Sequence, residues 1–142
     1  MYQKTQFGKI TTISLILALL IIGYFGVYYS NFSSLLSAAF FLFGIFLLSL
    51  LLFYKLTVIV DDHNIQIIFG VGLIRKKFSL SDINSCQSVK NHWYYGLGIH
   101  LTPRGWLYNV SGLRAVEIIM KDGNKCRIGT DDPEGLIKAI QN

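Results

Sequence analysis

The sequence predicts a membrane-anchored chain, an α-helical transmembrane hairpin followed by a mainly antiparallel β domain whose curled sheet or partly open barrel is capped by a C-terminal helix. Two observations carry the prediction. Of 142 residues 52% are hydrophobic and only 15% charged, and every Asp, Glu, Lys and Arg lies in residues 1–9 or 55–142, leaving 45 consecutive uncharged positions. After Tyr54 this continuous apolar run gives way to short alternating runs punctuated by Gly, Asn and Asp, the pattern of strands joined by tight turns. A mean hydropathy of +0.46 excludes a disordered or collagen-like chain.

The uncharged stretch divides at residues 30–34, predicted as a short external loop, into spans at 10–29 and 35–54. Each is 20 residues long, and at about 1.5 Å per residue a helix of that length covers the roughly 30 Å of a hydrocarbon core. Tyr24, Tyr28 and Tyr29 close the first span and Phe53 and Tyr54 the second, where interfacial aromatics are expected. Lys4 and Lys9 precede the spans and Lys55 follows them, so the positive-inside rule places both termini in the cytoplasm of a multi-pass inner-membrane protein. A cleaved signal peptide fits less well, because the apolar run exceeds an h-region, no A-x-A site follows it and a second span comes next. With no ionisable group at depth, the spans read as an anchor rather than a transporter. Ser33-x-x-x-Ser37 and Ser34-x-x-x-Ala38 have small-xxx-small spacing, whereas Gly23 and Gly26, three apart, fit it less well.

Residues 55–142 suffice for one small domain. Lys55 to Val60 is the first strand, residues 61–64 a turn, and Ile65, Ile67 and Phe69 mark a half-buried second strand. Ile74 to Ser79 follows, then a helical turn at 81–83 and an irregular strand over 84–90. Beyond a loop at 91–98, period-two sets at Ile99/Leu101, Trp106/Tyr108/Val110 and Val116/Ile118/Met120 predict three strands. Asp122-Gly123 centres a hairpin leading to a strand on which Cys126 and Ile128 share one face and Lys125 and Arg127 the other. The expected sheet is an antiparallel meander. Asp132 as N-cap, Pro133 at the first helical position and an apolar stripe of Leu136, Ile137 and Ile140 predict the closing helix. Cys86 and Cys126, in a reducing compartment, read as core residues and not as a disulfide.

Gly-Leu-Gly-Ile-His at 96–100, Gly-Trp-Leu-Tyr-Asn-Val-Ser-Gly at 105–112, Ala-Val-Glu-Ile at 115–118 and Ile-Gly-Thr-Asp-Asp-Pro-Glu-Gly-Leu at 128–136 resemble bacterial membrane proteins with a pleckstrin-homology-like domain. The resemblance covers 55–142, and such proteins often carry two spans before the domain. It implies a fold more than a function. Inositide-binding members place basic residues in the first hairpin loop, where this chain has Asp61 and Asp62. Where the bacterial family commonly has an Arg after Gly-Ile, this chain has His100.

Candidate contacts with lipid or a partner are Arg75, Lys77, His92, Trp93, Tyr94, Tyr95, His100, Arg104 and Trp106. The run Arg75-Lys76-Lys77 suits anionic headgroups, although alternation turns Arg75 and Lys77 one way and Lys76 the other; a solvated strand protected against edge pairing explains it more simply. The aromatics at 92–95 fit an interfacial or peptide-binding loop, or core packing, and Arg104-Gly105-Trp106 extends the same surface.

No catalytic motif is present: no Walker loop, GxSxG elbow, HExxH or CxxC. Asp131, Asp132 and Glu134 are explained by helix capping, and the His and Cys spacings match no zinc pattern. No cofactor is expected. The sequons at Asn31 and Asn109 are poor glycosylation sites, one in a short loop beside the membrane and one on the cytoplasmic side. The net charge of +5 falls to +3 in residues 55–142, with 11 basic and 8 acidic residues, too little for a nucleic-acid surface. The expected role is a non-catalytic module that binds another membrane or cytoplasmic protein, or itself, at the bilayer; anionic-lipid sensing is the alternative and an enzyme on a membrane substrate the weakest reading.

Overall fold

The computed structural model describes residues 1–29 and 33–141. Ser30, Asn31 and Phe32, the first three residues of the predicted loop, the latter two in the first sequon, lie outside the described residues. Helices α1 (Lys9–Tyr28) and α2 (Ser33–Phe53) form the hairpin, both long and apolar enough to cross a membrane, with mean hydropathies of 2.3 and 2.6. α1 buries none of its side chains within the protein. An α-carbon substituent at Gly26 would stand 3.3 Å from the Ala39 methyl, so Gly26 makes the close approach despite its poorer fit to the small-residue pattern.

The first sheet has the order β1-β2-β3-β4, from β1 (Tyr2–Phe7), β2 (Lys55–Val60), β3 (Asn64–Phe69) and β4 (Ile74–Ser79), all antiparallel. β1 was not expected: residues 1–9 read as a plain cytoplasmic N-terminus, because the polar segment Tyr-Gln-Lys-Thr-Gln has no apolar alternation. It pairs with β2 from Tyr2 opposite Val60 to Phe7 opposite Lys55 and buries Gln6, whose amide Nε2 donates to the Gly129 carbonyl at 2.8 Å. β1 and β2 thus flank the helical hairpin as adjacent strands.

The second sheet comprises β5 (Ile83–Lys90), β6 (Gly98–Thr102), β7 (Gly105–Asn109), β8 (Arg114–Met120) and β9 (Lys125–Gly129) in the order β5-β8-β9-β7-β6. A meander does not form here. β9 inserts between β8 and β7 and runs parallel to β7, with Trp106 opposite Cys126 and Tyr108 opposite Ile128. The reason is burial: both faces of β9 are covered, and a strand of that kind belongs in the middle of a sheet. The two sheets do not close into a barrel.

Leu56, Val58, Val60, Ile65, Ile67 and Phe69 from the first sheet meet Tyr108, Val110, Val116, Ile118, Cys126 and Ile128 from the second. Each large aliphatic side chain so buried is worth about 1.5–3 kcal/mol. Helix α3 (Pro133–Gln141) covers one end, its Leu136 fully buried and its first turn capped by Asp132 Oδ1, which accepts from the Gly135 amide at 3.1 Å. The N-cap read from Asp132-Pro133 is the one observed. Both cysteines are free.

No linker separates helices from domain. The Gly8 amide donates to the Tyr54 carbonyl at 2.9 Å, the Gly70 amide to Lys55 at 2.9 Å and the Val71 amide to Leu51 at 3.1 Å. Gly70 has φ +50°, and a side chain there would collide with the carbonyls of Leu51 and Leu52. The β3–β4 turn therefore seats on the last turn of α2.

Candidate functional site

β4 distributes its cations as strand alternation requires. Arg75 lies opposite Ile68 and Lys77 opposite Gln66 on the outer face, while Lys76 lies opposite the buried Ile67 on the core side. Arg75 is drawn back toward the preceding turn, its Nε donating to the Gly72 carbonyl at 2.7 Å.

Residues 93–95 form a single 3-10 turn within the connection that carries the chain from β5, one edge of the second sheet, to β6, the other edge. The rings pack on one another: His92 stacks on Tyr94 at 5.0 Å and meets Tyr95 edge-on at 5.4 Å. Trp93 and Tyr94 are 81% and 62% exposed, so these two are surface groups rather than core. His100 is exposed, with its Nε2 2.6 Å from the Leu97 carbonyl oxygen.

Arg104 and Trp106 do not extend that loop. Gly98, next to it, pairs with Asn109, whereas Thr102 pairs with Gly105, so the Arg104 turn sits one strand length away at the opposite end of β6. Trp106 instead faces Leu101 across the β6–β7 ladder and opens onto a groove of about 590 Å³ between the two sheets. Lys76 and Phe78 of β4 form one wall, Ile99 and Leu101 of β6 with Trp106 and Tyr108 of β7 the other, and Met120 and Cys126 the floor. Leu101 and Trp106 are 71% and 48% exposed there. Lys76 Nζ sits 6.0 Å from the Phe78 ring centre and Lys125 lies at the rim. β4 and β6 are the last strands of their sheets, so each brings to the groove an edge without a strand partner among the described residues. Burial pushes the Cys126 thiol up to about 12 against the opposing pull of Lys76, which removes a thiolate from the chemistry of the floor.

On the face of the second sheet away from the core, one row crosses all five strands in register: Gln87, Glu117, Arg127, Leu107 and His100. At its centre Arg127 and Glu117 are buried and bonded twice, Nη2 to Oε1 at 2.8 Å and Nε to Oε1 at 2.9 Å. Gln87 Nε2 donates to Glu117 Oε2 at 2.9 Å and Arg127 Nη1 to Asn91 Oδ1 at 3.1 Å. Burial alone would raise the Glu117 pKa, but the bonds from Gln87 and Arg127 and the positive charges of Arg127 and Arg104 outweigh it and hold the carboxyl below its ordinary value. This network was missed in the sequence reading. Its signal was present, since folding the hairpin about Asp122-Gly123 sets Glu117 opposite Arg127. Among the described residues no three His, Cys, Asp or Glu side chains converge as a metal site would require.

Comparison with protein-family models, with curated proteins and with solved structures found no match.

Proposed function

We propose that the chain is a two-span inner-membrane protein whose pleckstrin-homology-like domain is a non-catalytic binding module for a protein partner. The groove between β4 and β6 carries the proposal. An apolar floor flanked by two open strand edges suits an extended segment, whose backbone pairs with an edge while alternate side chains enter the groove. Lys76 in its wall and Lys125 at its rim, with no carboxylate in the lining, favour a segment whose outward residues are acidic. Tethering by α1 and α2 raises the domain's effective concentration toward other membrane proteins. A cytoplasmic position for the domain and both termini is supported by Lys4, Lys9 and Lys55 and by the pairing of β1 with β2 on one side of the hairpin.

The test is to pan a random peptide library against the full chain in lipid nanodiscs. Selected peptides should alternate apolar and acidic residues, shift Trp106 emission in a Trp93→Phe background, and lose binding to Leu101→Asp. Peptides that bind Leu101→Asp as well as the native chain, or none that alter Trp106, would overturn the reading.

A further inference from the structure

Basic residues that have no carboxylate partner among the described residues gather at the end of the domain where the helices enter. Lys90 and Arg114 lie directly opposite each other on β5 and β8, both exposed and neither in an ion pair among the described residues, an arrangement that costs stability unless an anion covers it. Arg114 shares a cleft of about 360 Å³ with Phe7, Lys9 and Leu113, beside the first turn of α1. Asp131 also lines this cleft and is engaged by Lys4 at 3.7 Å. A substituent at Gly8 would stand 2.8 Å from the Val110 carbonyl, which fixes the β7–β8 turn against the start of α1. The Asn91 amide donates to the Leu113 carbonyl at 2.7 Å, which ties the aromatic loop to the same turn. Asp61, Asp62, Asp82 and Asp122 occupy turns at the other end of the strands.

We propose that this cleft, together with Lys90 outside its lining and directly across the ladder from Arg114, receives the headgroups of anionic lipids from the leaflet that α1 and α2 traverse, with Lys90, Arg114 and Lys9 as the cationic contacts, and that Trp93 and Tyr94 enter the same interface. The inference rests on the spanning reading of the helices and is independent of the groove. Its commitment to a lipid surface comes from continuity with the helix entry, from the uncompensated cross-strand cations, and from an exposed Trp beside them, since amphipathic rings favour the headgroup level. It differs from headgroup binding through a first hairpin loop, because Asp61 and Asp62 occupy that loop at the opposite end.

Trp93 and Trp106 are the two tryptophans, so each reports one surface. The experiment reconstitutes the full chain carrying Trp106→Phe in nanodiscs of phosphatidylcholine alone or with phosphatidylglycerol, containing a lipid with a quencher near the headgroup. Trp93 should be quenched by the lipid in anionic discs, and added salt or Lys90→Ala/Arg114→Ala should lower the docked-to-undocked ratio, the double change by about thirty-fold at low salt. An unchanged Trp106 spectrum in the same double variant on a Trp93→Phe background confirms that the fold is intact. Equal quenching in neutral and anionic discs, or Trp93 open to aqueous iodide and untouched by the lipid quencher, overturns the proposal alone. A chain that fails to co-elute with discs overturns the spanning reading and this proposal with it.

Discussion

Arg127 and Glu117 are bonded through two guanidinium nitrogens to one carboxylate oxygen, at 2.8 and 2.9 Å, with side chains only 5% and 3% exposed. They join β8 to β9 on the face away from the main core. A buried pair of this kind adds little over apolar residues of the same volume, yet removing one partner strands the other charge. Glu117→Ala is expected to destabilise the domain by about 3–5 kcal/mol, and Glu117→Leu/Arg127→Met by much less. Urea denaturation of the full chain in a Trp93→Phe background, followed through Trp106 emission, measures both; equal losses in the two variants would show that the charge is not what matters.

The same pair gives the domain an acid limit. The Glu117 carboxyl is held below its ordinary value of 4.5, so the folded state binds this proton less readily than the unfolded state. Its contribution is therefore complete above the unfolded value and is lost as the pH falls from about 4.5 through the folded value. Glu117→Gln should lower stability at neutral pH and flatten the acid slope. Denaturation midpoints for both chains, taken from neutrality to below 4.5, read the difference directly.

What was legible in the sequence followed from burial on one side only. Ile65, Ile67 and Phe69 alternate because β3 has one wet face, and β4 begins at Ile74 and ends at Ser79 as read; the helices α1 and α2 differ by no more than two residues at either end from the apolar stretches 10–29 and 35–54. Legibility ended where both faces are buried or where polarity hides a role. β9 alternates polar and apolar residues, but Arg127 is as dry as Cys126 because Glu117 neutralises it, and nothing in the pattern says that β9 lies between β8 and β7. β1 is invisible to hydrophobic periodicity because Gln6 and Thr5 are held by polar bonds. At the candidate surfaces, alternation correctly turned Lys76 away from Arg75 and Lys77, but one sequence carries no distance between the 92–95 loop and Arg104. That separation depends on the length of β6.

β1 makes a fragment beginning at residue 55 incomplete. Without residues 2–7, β2 becomes an open edge and Gly129 loses the amide of Gln6. Asp132 also loses the hydroxyl bond from Tyr2 at 3.2 Å, a contact in which burial and the Asp132 charge push the phenol up to about 12. Residues 55–141 expressed alone are expected to aggregate or to unfold without cooperativity. Because the Gly8 amide and the Tyr54 carbonyl are already 2.9 Å apart, a short Gly-containing turn joining residues 1–8 to 54–141 should replace the helical hairpin and yield a cooperatively folding domain. Sedimentation and thermal melts of the two proteins decide it, and a well-folded 55–141 would make β1 dispensable.

The seat of the β3–β4 turn on α2 rests on Gly70, whose φ of +50° and close approach to the Leu51 and Leu52 carbonyls leave no room for a methyl group. Gly70→Ala is expected to cost more than about 1 kcal/mol, because the residue must both adopt a left-handed conformation and push the helix end away. The break should be local first: the Val71 amide leaves the Leu51 carbonyl, and its hydrogen exchange in nanodiscs rises by an order of magnitude or more before the core amides of β8 respond. Gly44, mid-helix in α2 with no atom near the position of an added methyl, is the matched control. Gly44→Ala should leave the Val71 amide unchanged, since its effect is confined to helix propensity. Equal protection of Val71 in Gly70→Ala and the native chain would mean that the turn and the helix end are not coupled through this contact.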